Sequence, residues 1–237
     1  YPLSCTPVRE STGFQDVPGT QVYLYDCSSV ERIWQIGEEL IERNRMRLGG
    51  GCAGLAGVLA QKLSKGRVRL KPPVGEGLLI VSGSANAYTF AQLERRRGGR
   101  IVNLARETIQ MENCVSCLRR GETLILAAAC GPEDLVQNPS ESYHIELGQT
   151  LARLTEELLR GSGVRNLAIF GGDTLQAILK RLSCSRVRIC GYLEEGVPVC
   201  EGETSLGRLC LVTKSGGLGS RTVVSHIMDY YEGREGE

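Results

Sequence analysis

Three turns built from small residues concentrate the chemistry of this sequence. They are Ser82-Gly83-Ser84, Gly171-Gly172-Asp173-Thr174 and Lys214-Ser215-Gly216-Gly217-Leu218-Gly219. Glycine lets main-chain N–H groups come close to a ligand. A helix that begins at such a turn adds further donors and a positive end. Lys214 offers a cation, and Ser84, Thr174 and Ser215 offer hydroxyl donors. Together these suit a phosphate or a nucleotide. Asp173 repels phosphate directly; it would hold Mg²⁺, bond a ribose hydroxyl or cap its own helix. Any one of the turns also reads as a tight connection and nothing more. Three of them, each following an apolar run, fall on one predicted rim of a sheet, where open α/β sheets bind ligands. The pattern points to a phosphate ligand but names no reaction.

Several other chemistries are excluded. There is no G-x-x-x-x-G-K-[ST] phosphate loop. Gly161-Ser-Gly163-Val-Arg-Asn166 lacks the third glycine of a dinucleotide turn, and it precedes a strand instead of following one. Cys114-Val-Ser-Cys117 is a single C-x-x-C with no second pair at zinc spacing, and the only imidazoles are His144 and His226. No metal ligands and no catalytic side chain are assigned. The net charge of +1, from 28 basic and 27 acidic residues, argues against a nucleic-acid partner. The Arg95-Arg96-Arg97 cluster reads as a solvated helix end. No apolar run approaches the ~18 residues of a membrane span. Cys190 and Cys210 lie inside apolar runs and read as buried thiols of a reduced, cytoplasmic protein. The chain opens with Tyr1 and not Met, which suggests that residues precede it.

The elements that must carry the turns follow from hydrophobic period. Residues 22–26 form a strand candidate. Ser28-Ser29 would cap a helix with Val30, Ile33, Trp34, Ile36, Gly37, Leu40 and Ile41 as its apolar stripe, and 53–63 reads as a second helix. Residues 66–77, with Pro72-Pro73, read as a linker. Strand and helix then alternate: strands at 78–82, 101–104, 123–128, 166–170 and 209–213, helices at 87–97, 143–160, 175–182 and through Tyr231. A strand pair is expected at 186–189 and 196–199. The continuous apolar strands suit a parallel sheet covered on both faces. The expected fold class is α/β, a layered and mostly parallel sheet with helices on both faces, plus a small N-terminal α/β remnant.

In combination the motifs resemble the four-carbon acid sugar kinases. The S-G-S strand end with Thr and Gln on the next helix is Ser82-Gly83-Ser84 with Thr89 and Gln92. The G-G-D-T helix start is Gly171 to Thr174, the G-V-P segment is Gly196-Val197-Pro198, and the T-K-S-G-G-F-G close is Thr213 to Gly219. The upstream G-S-A-G-L is similar to Gly51-Cys52-Ala53-Gly54-Leu55. The likeness runs over about residues 20–232. Leu218 stands for the usual Phe, Cys52 for Ser and Asn86 for a second Ser, and the acidic A-D-D-x-T-G-A motif of the substrate lobe is absent.

The resemblance implies a nucleotide-binding domain over 78–237, a linker over 66–77, and a closing part of a substrate-binding lobe over 1–65. It implies ATP-dependent phosphorylation of a hydroxyl on a small four-carbon sugar acid, with Mg²⁺, and a need for the rest of the substrate lobe, which would supply the base. The nucleotide would contact Ser84, Gly171, Gly172, Asp173, Thr174, Lys214, Ser215, Gly216, Gly217 and Gly219. Residues 49–54 and 65–77 are hinge candidates. An uncovered apolar face would permit a homodimer. The competing readings are a non-catalytic nucleotide-binding or regulatory module, and a partner-binding protein whose glycine turns are only connections.

Overall fold

The computed structural model describes residues 4–20, 22–45, 48–64, 73 and 75–234. The expected linker and hinge at 65–77 lie outside the described residues, apart from 73 and 75–77. The chain divides into two compact units, Tyr1–Arg67 and Val68–Glu237.

The first unit pairs strands β1 (Cys5–Val8) and β2 (Val22–Tyr25) in parallel, followed by helices α1 (Val30–Glu42) and α2 (Ala53–Leu63). Ser29 caps α1, its side chain accepting from the Arg32 N–H. Val30 does not join the buried stripe: at the first position of the helix it is exposed, and burial falls on Ile36 and Gly37. A Cβ on Gly37 would lie 2.7 Å from Val58 Cγ1, so glycine permits this close approach of α1 to α2.

The second unit is a seven-stranded sheet of order β4-β5-β3-β6-β9-β8-β7. Its strands are β3 (Leu78–Ser82), β4 (Arg100–Asn103), β5 (Thr123–Ala127), β6 (Asn166–Phe170), β7 (Val187–Glu194), β8 (Val197–Thr204) and β9 (Gly207–Lys214). Strands β4, β5, β3, β6 and β9 are parallel, and β8 runs antiparallel to both of its neighbours. Helices are α3 (Ala87–Glu94), α4 (Met111–Arg119), α5 (Glu141–Ser162), α6 (Gly172–Arg181) and α7 (Val223–Tyr231).

Side chains alternate across each strand. Leu79, Val81, Leu124, Leu126, Leu167 and Ile169 pack under α4, α5 and α6. Leu78, Ile80, Ile125, Ala168, Phe170 and Val212 pack under α3 and α7. This is why β3, β5 and β6 are apolar at nearly every position: neither face meets water. The expected sheet with helices on both faces is therefore present.

The differences have local causes. α3 stops at Glu94 and not Arg97, because the chain turns at Arg95 ahead of Gly98 and Gly99. α4 has no counterpart in the pattern reading, since its buried positions are Cys114, Cys117 and Leu118, two of them cysteines. These thiols are packed: both are fully buried, and burial pushes Cys117 up to about 11. α6 begins at Gly172, so Asp173 and Thr174 fall inside its first turn. Strands β7 and β8 are each twice the expected length, because their pairing continues across residues that are exposed on one side.

Truncating Ile80, fully buried at the centre of β3, removes contacts on the α3/α7 side. Ile80→Ala is expected to lower the unfolding free energy by about 2–5 kcal/mol in urea titration. A loss under about 0.5 kcal/mol, the scale of surface substitutions, would contradict this packing.

Candidate functional site

Strands β3, β6 and β9 are neighbours, and their last residues are register partners: Ser82 opposite Phe170, and Phe170 opposite Lys214. The three turns therefore leave the sheet side by side, at strand spacings of about 4.8 Å. The pairing runs one residue further, with Gly83 N donating to Phe170 O (3.1 Å) and Gly171 N to Lys214 O (3.0 Å). After β3 the chain passes to α3 on one face; after β6 it passes to α6 on the other. Adjacent strands whose connections diverge to opposite faces define a switch-point crevice, the usual ligand position in such sheets.

Two glycines let the turns close on each other. A Cβ on Gly83 would sit 2.1 Å from Thr174 Oγ1, so the first turn packs directly on the start of α6. Gly171 holds φ +110°, outside the range of ordinary side-chain-bearing residues, and caps α6 without a side chain. Gly172 and Gly217 have open space where a Cβ would be.

The loop after β9 is organised from within. Lys214 was expected to face the ligand, but it is buried, with 2% of its surface exposed. Its ammonium donates to Ser215 O (3.0 Å), Gly216 O (3.0 Å) and Thr89 Oγ1 (3.3 Å), and lies 5.3 Å from the centre of the Phe170 ring. Thr89 Oγ1 in turn donates to Gly216 O (3.0 Å), which makes it the acceptor for Ser84 Oγ at 3.1 Å. The Ser84 hydroxyl thus points inward, and it accepts from the Asn86 N–H (3.2 Å). Gln92 donates from Nε2 towards the carbonyls of Leu218, Gly219 and Ser220, at 3.2, 3.3 and 2.8 Å.

With its carbonyls held from below, the loop keeps amides to spare. Among the described residues, the N–H groups of Gly216, Gly217 and Gly219 have no acceptor. The first N–H groups of α6 are likewise unused by the helix itself. Ser215, Gly172 and Asp173 are exposed at this rim, whereas Ser84, Thr174 and Lys214 are buried beneath it. Thr89 and Gln92, which the motif resemblance names without placing them at the ligand, are fully buried braces. Their signal is two polar residues at i and i+3 on the buried side of a short helix. Ser82 Oγ, at the end of β3, is buried without a partner.

Among the described residues no carboxylate pairs with the Lys214 ammonium. Burial alone pulls its pKa from 10.5 down to about 8.

The family described as nucleotide-binding C-terminal domain matches residues 79–224, which contain all three turns. The chain belongs to that family. The relatives of this nucleotide-binding C-terminal domain are those of the four-carbon acid sugar kinases, the resemblance read from the motifs. A 3-oxo-tetronate kinase of Pseudomonas fluorescens is 28% identical over 174 residues, covering 68% of this chain and 40% of the relative. A 3-oxo-tetronate kinase of Pseudomonas savastanoi pv. phaseolicola is 25% identical over 217 residues, covering 86% and 50%. The chain thus spans half or less of the length of these curated relatives. The crystal structure of Haemophilus influenzae protein HI1011 shares the fold, with a TM-score of 0.68 at 18% identity, over 90% of this chain and 54% of that one. No helix among the described residues is long and apolar enough to cross a membrane.

The Lys214 pKa has a measurable consequence. Between about 8 and 10.5 the unfolded chain keeps this proton and the folded protein releases it, so the Lys214 contribution to stability rises with pH. The difference in unfolding free energy, wild type minus Lys214→Met, should therefore grow between pH 7.5 and 10.5 in ligand-free protein. A flat or falling difference in urea unfolding would show that the ammonium is not desolvated.

Proposed function

We propose that this rim binds the phosphates of ATP, and that the protein is the nucleotide-binding part of a kinase that phosphorylates a hydroxyl of a small four-carbon sugar acid. One observation carries the reading: three glycine turns converge at the switch point over a buried ammonium that has no counter-ion among the described residues. The substrate class rests on the kinases to which the chain is similar.

Phosphoryl transfer asks for positioning and charge neutralisation more than for covalent help. The free amides of Gly216, Gly217 and Gly219, with those at the start of α6, would cradle the phosphates. Ser215 would add a hydroxyl, while Ser84, Thr174 and Lys214 shape the cradle from beneath. Lys214 also contributes positive charge through the loop.

The donor set fits Mg²⁺ that arrives with the nucleotide. Among the described residues no group of three or more acidic, His or Cys side chains could hold a metal by itself. Asp173 is exposed in the first turn of α6, and nothing among those residues pairs with its side chain. Mg²⁺ commonly takes one or two carboxylates plus phosphate oxygens. There the ion would screen phosphate charge.

A second reading is a nucleotide-binding module without turnover of its own, which the same glycine rim would serve equally well. Release of ADP from ATP on addition of a four-carbon sugar acid would separate the two.

Calorimetric titration with ATP and ADP, with and without Mg²⁺, tests the shared core of both readings. Micromolar to sub-millimolar binding is expected, weakened about tenfold or more by Gly172→Val, whose side chain would project into the open space before α6. Absence of binding by the wild-type chain, or full affinity in Gly172→Val, would refute this placement of the phosphates.

A further inference from the structure

The trailing end of the glycine loop is held by a residue that neither the motifs nor the cradle includes. Strand β7 runs parallel to β9, since both are antiparallel to β8, so its last residue, Glu194, reaches the same rim. The Glu194 side chain retains only 16% of its exposure, and a carboxylate so far withdrawn from water needs donors. It takes them from one short stretch. Ser220 donates both its N–H and its hydroxyl (2.8 Å for Oγ to Oε1), and His226 faces Oε1 with Nδ1. The other ring nitrogen of His226 meets Thr222 Oγ1 at 3.2 Å.

Ser220 directly follows Gly219. Its carbonyl is the nearest of the three that Gln92 holds, at 2.8 Å, and its N–H is held by Glu194. One residue is thus pinned from two elements, α3 and the edge strand β7. The leading end of the loop is pinned separately by Lys214 and Thr89. Between the two anchors lie Gly216, Gly217 and Gly219, whose amides have no acceptor among the described residues.

We propose that Glu194 is a positioning residue for phosphate binding: by holding both donors of Ser220 it fixes the far end of the loop and keeps the glycine amides in a binding arrangement. This deepens the nucleotide-binding reading above and rests on it. A carboxylate near an anion site is unfavourable by charge alone, which gives the idea a sharp sign. If Glu194 acted only through its field, removing it would tighten phosphate binding; if it acts by positioning, removing it weakens binding.

The experiment is an NMR titration of the whole chain with ADP and, separately, with adenosine, for wild type, Glu194→Ala and Glu194→Gln, each shown to be folded by circular dichroism and thermal melting. Glu194→Ala should weaken ADP binding about tenfold, as befits loss of charge-assisted hydrogen bonds, and leave adenosine unchanged. Glu194→Gln keeps an oxygen for Ser220 and should restore most of the ADP affinity. Unchanged or tighter ADP binding by Glu194→Ala overturns the proposal. So does a parallel loss for ADP and adenosine that tracks a lowered melting temperature, the mark of a brace for the hairpin alone. A wild-type chain that fails to bind ADP overturns the nucleotide reading itself, and this proposal with it.

Discussion

A single buried ammonium sets the shape of the rim. Lys214 closes β9 and would ordinarily reach for water, but its Nζ turns back under the loop that follows it. Two carbonyls and the Thr89 hydroxyl surround it as ligands surround a small cation. The contact is a hydrogen-bonded knot and an electrostatic load at once. Satisfying the ammonium draws the loop carbonyls inward. With no carboxylate beside it among the described residues, it keeps a positive potential beneath the spare amides of the loop. Both effects favour an anion at the same place, and both would fail if the side chain were exposed.

That local arrangement works only because the sheet delivers three turns to one spot. Parallel strands in register end together, so the positions of the turns are inherited from β3, β6 and β9 and not from the loops themselves. The cores on the two faces hold those strands by independent sets of residues. The hairpin of β7 and β8 extends the sheet beyond β9 and brings a further anchoring residue back to the rim. Rigid elements carrying a site made of loops is the general solution to placing several donors at once.

Much of this was legible in the sequence because the strands under the site are buried on both faces. Runs such as Leu78–Ser82 and Asn166–Phe170 end abruptly at glycine, so their bounds and their turns are visible together. α4 escaped because its buried side is built from cysteines, which do not stand out as an apolar period. The inward turn of Lys214 and Ser84 was not legible for a different reason. A lysine or serine beside glycines looks the same in a sequence whether it faces a ligand or supports the loop. The deciding partners, Thr89 and Gln92, lie far away along the chain and meet the loop only through the fold. The register of strand ends, which makes three turns into one site, is likewise a property of pairing and not of any segment.

The open positions at Gly172 and Gly217 carry a consequence for how such a surface tolerates change. The spare amides belong to the main chain, so side chains at the outer surface supply few of the donors, while Lys214, Thr89, Gln92 and Glu194 brace the loop from beneath and beside it. What the surface resists is addition. Each new atom at these positions lands in the volume that a guest would occupy, with little penalty to the host. Drift at Gly172 and Gly217 is therefore asymmetric: a larger residue there would narrow the surface while leaving a well-folded protein, and selection for folding alone would not notice the loss.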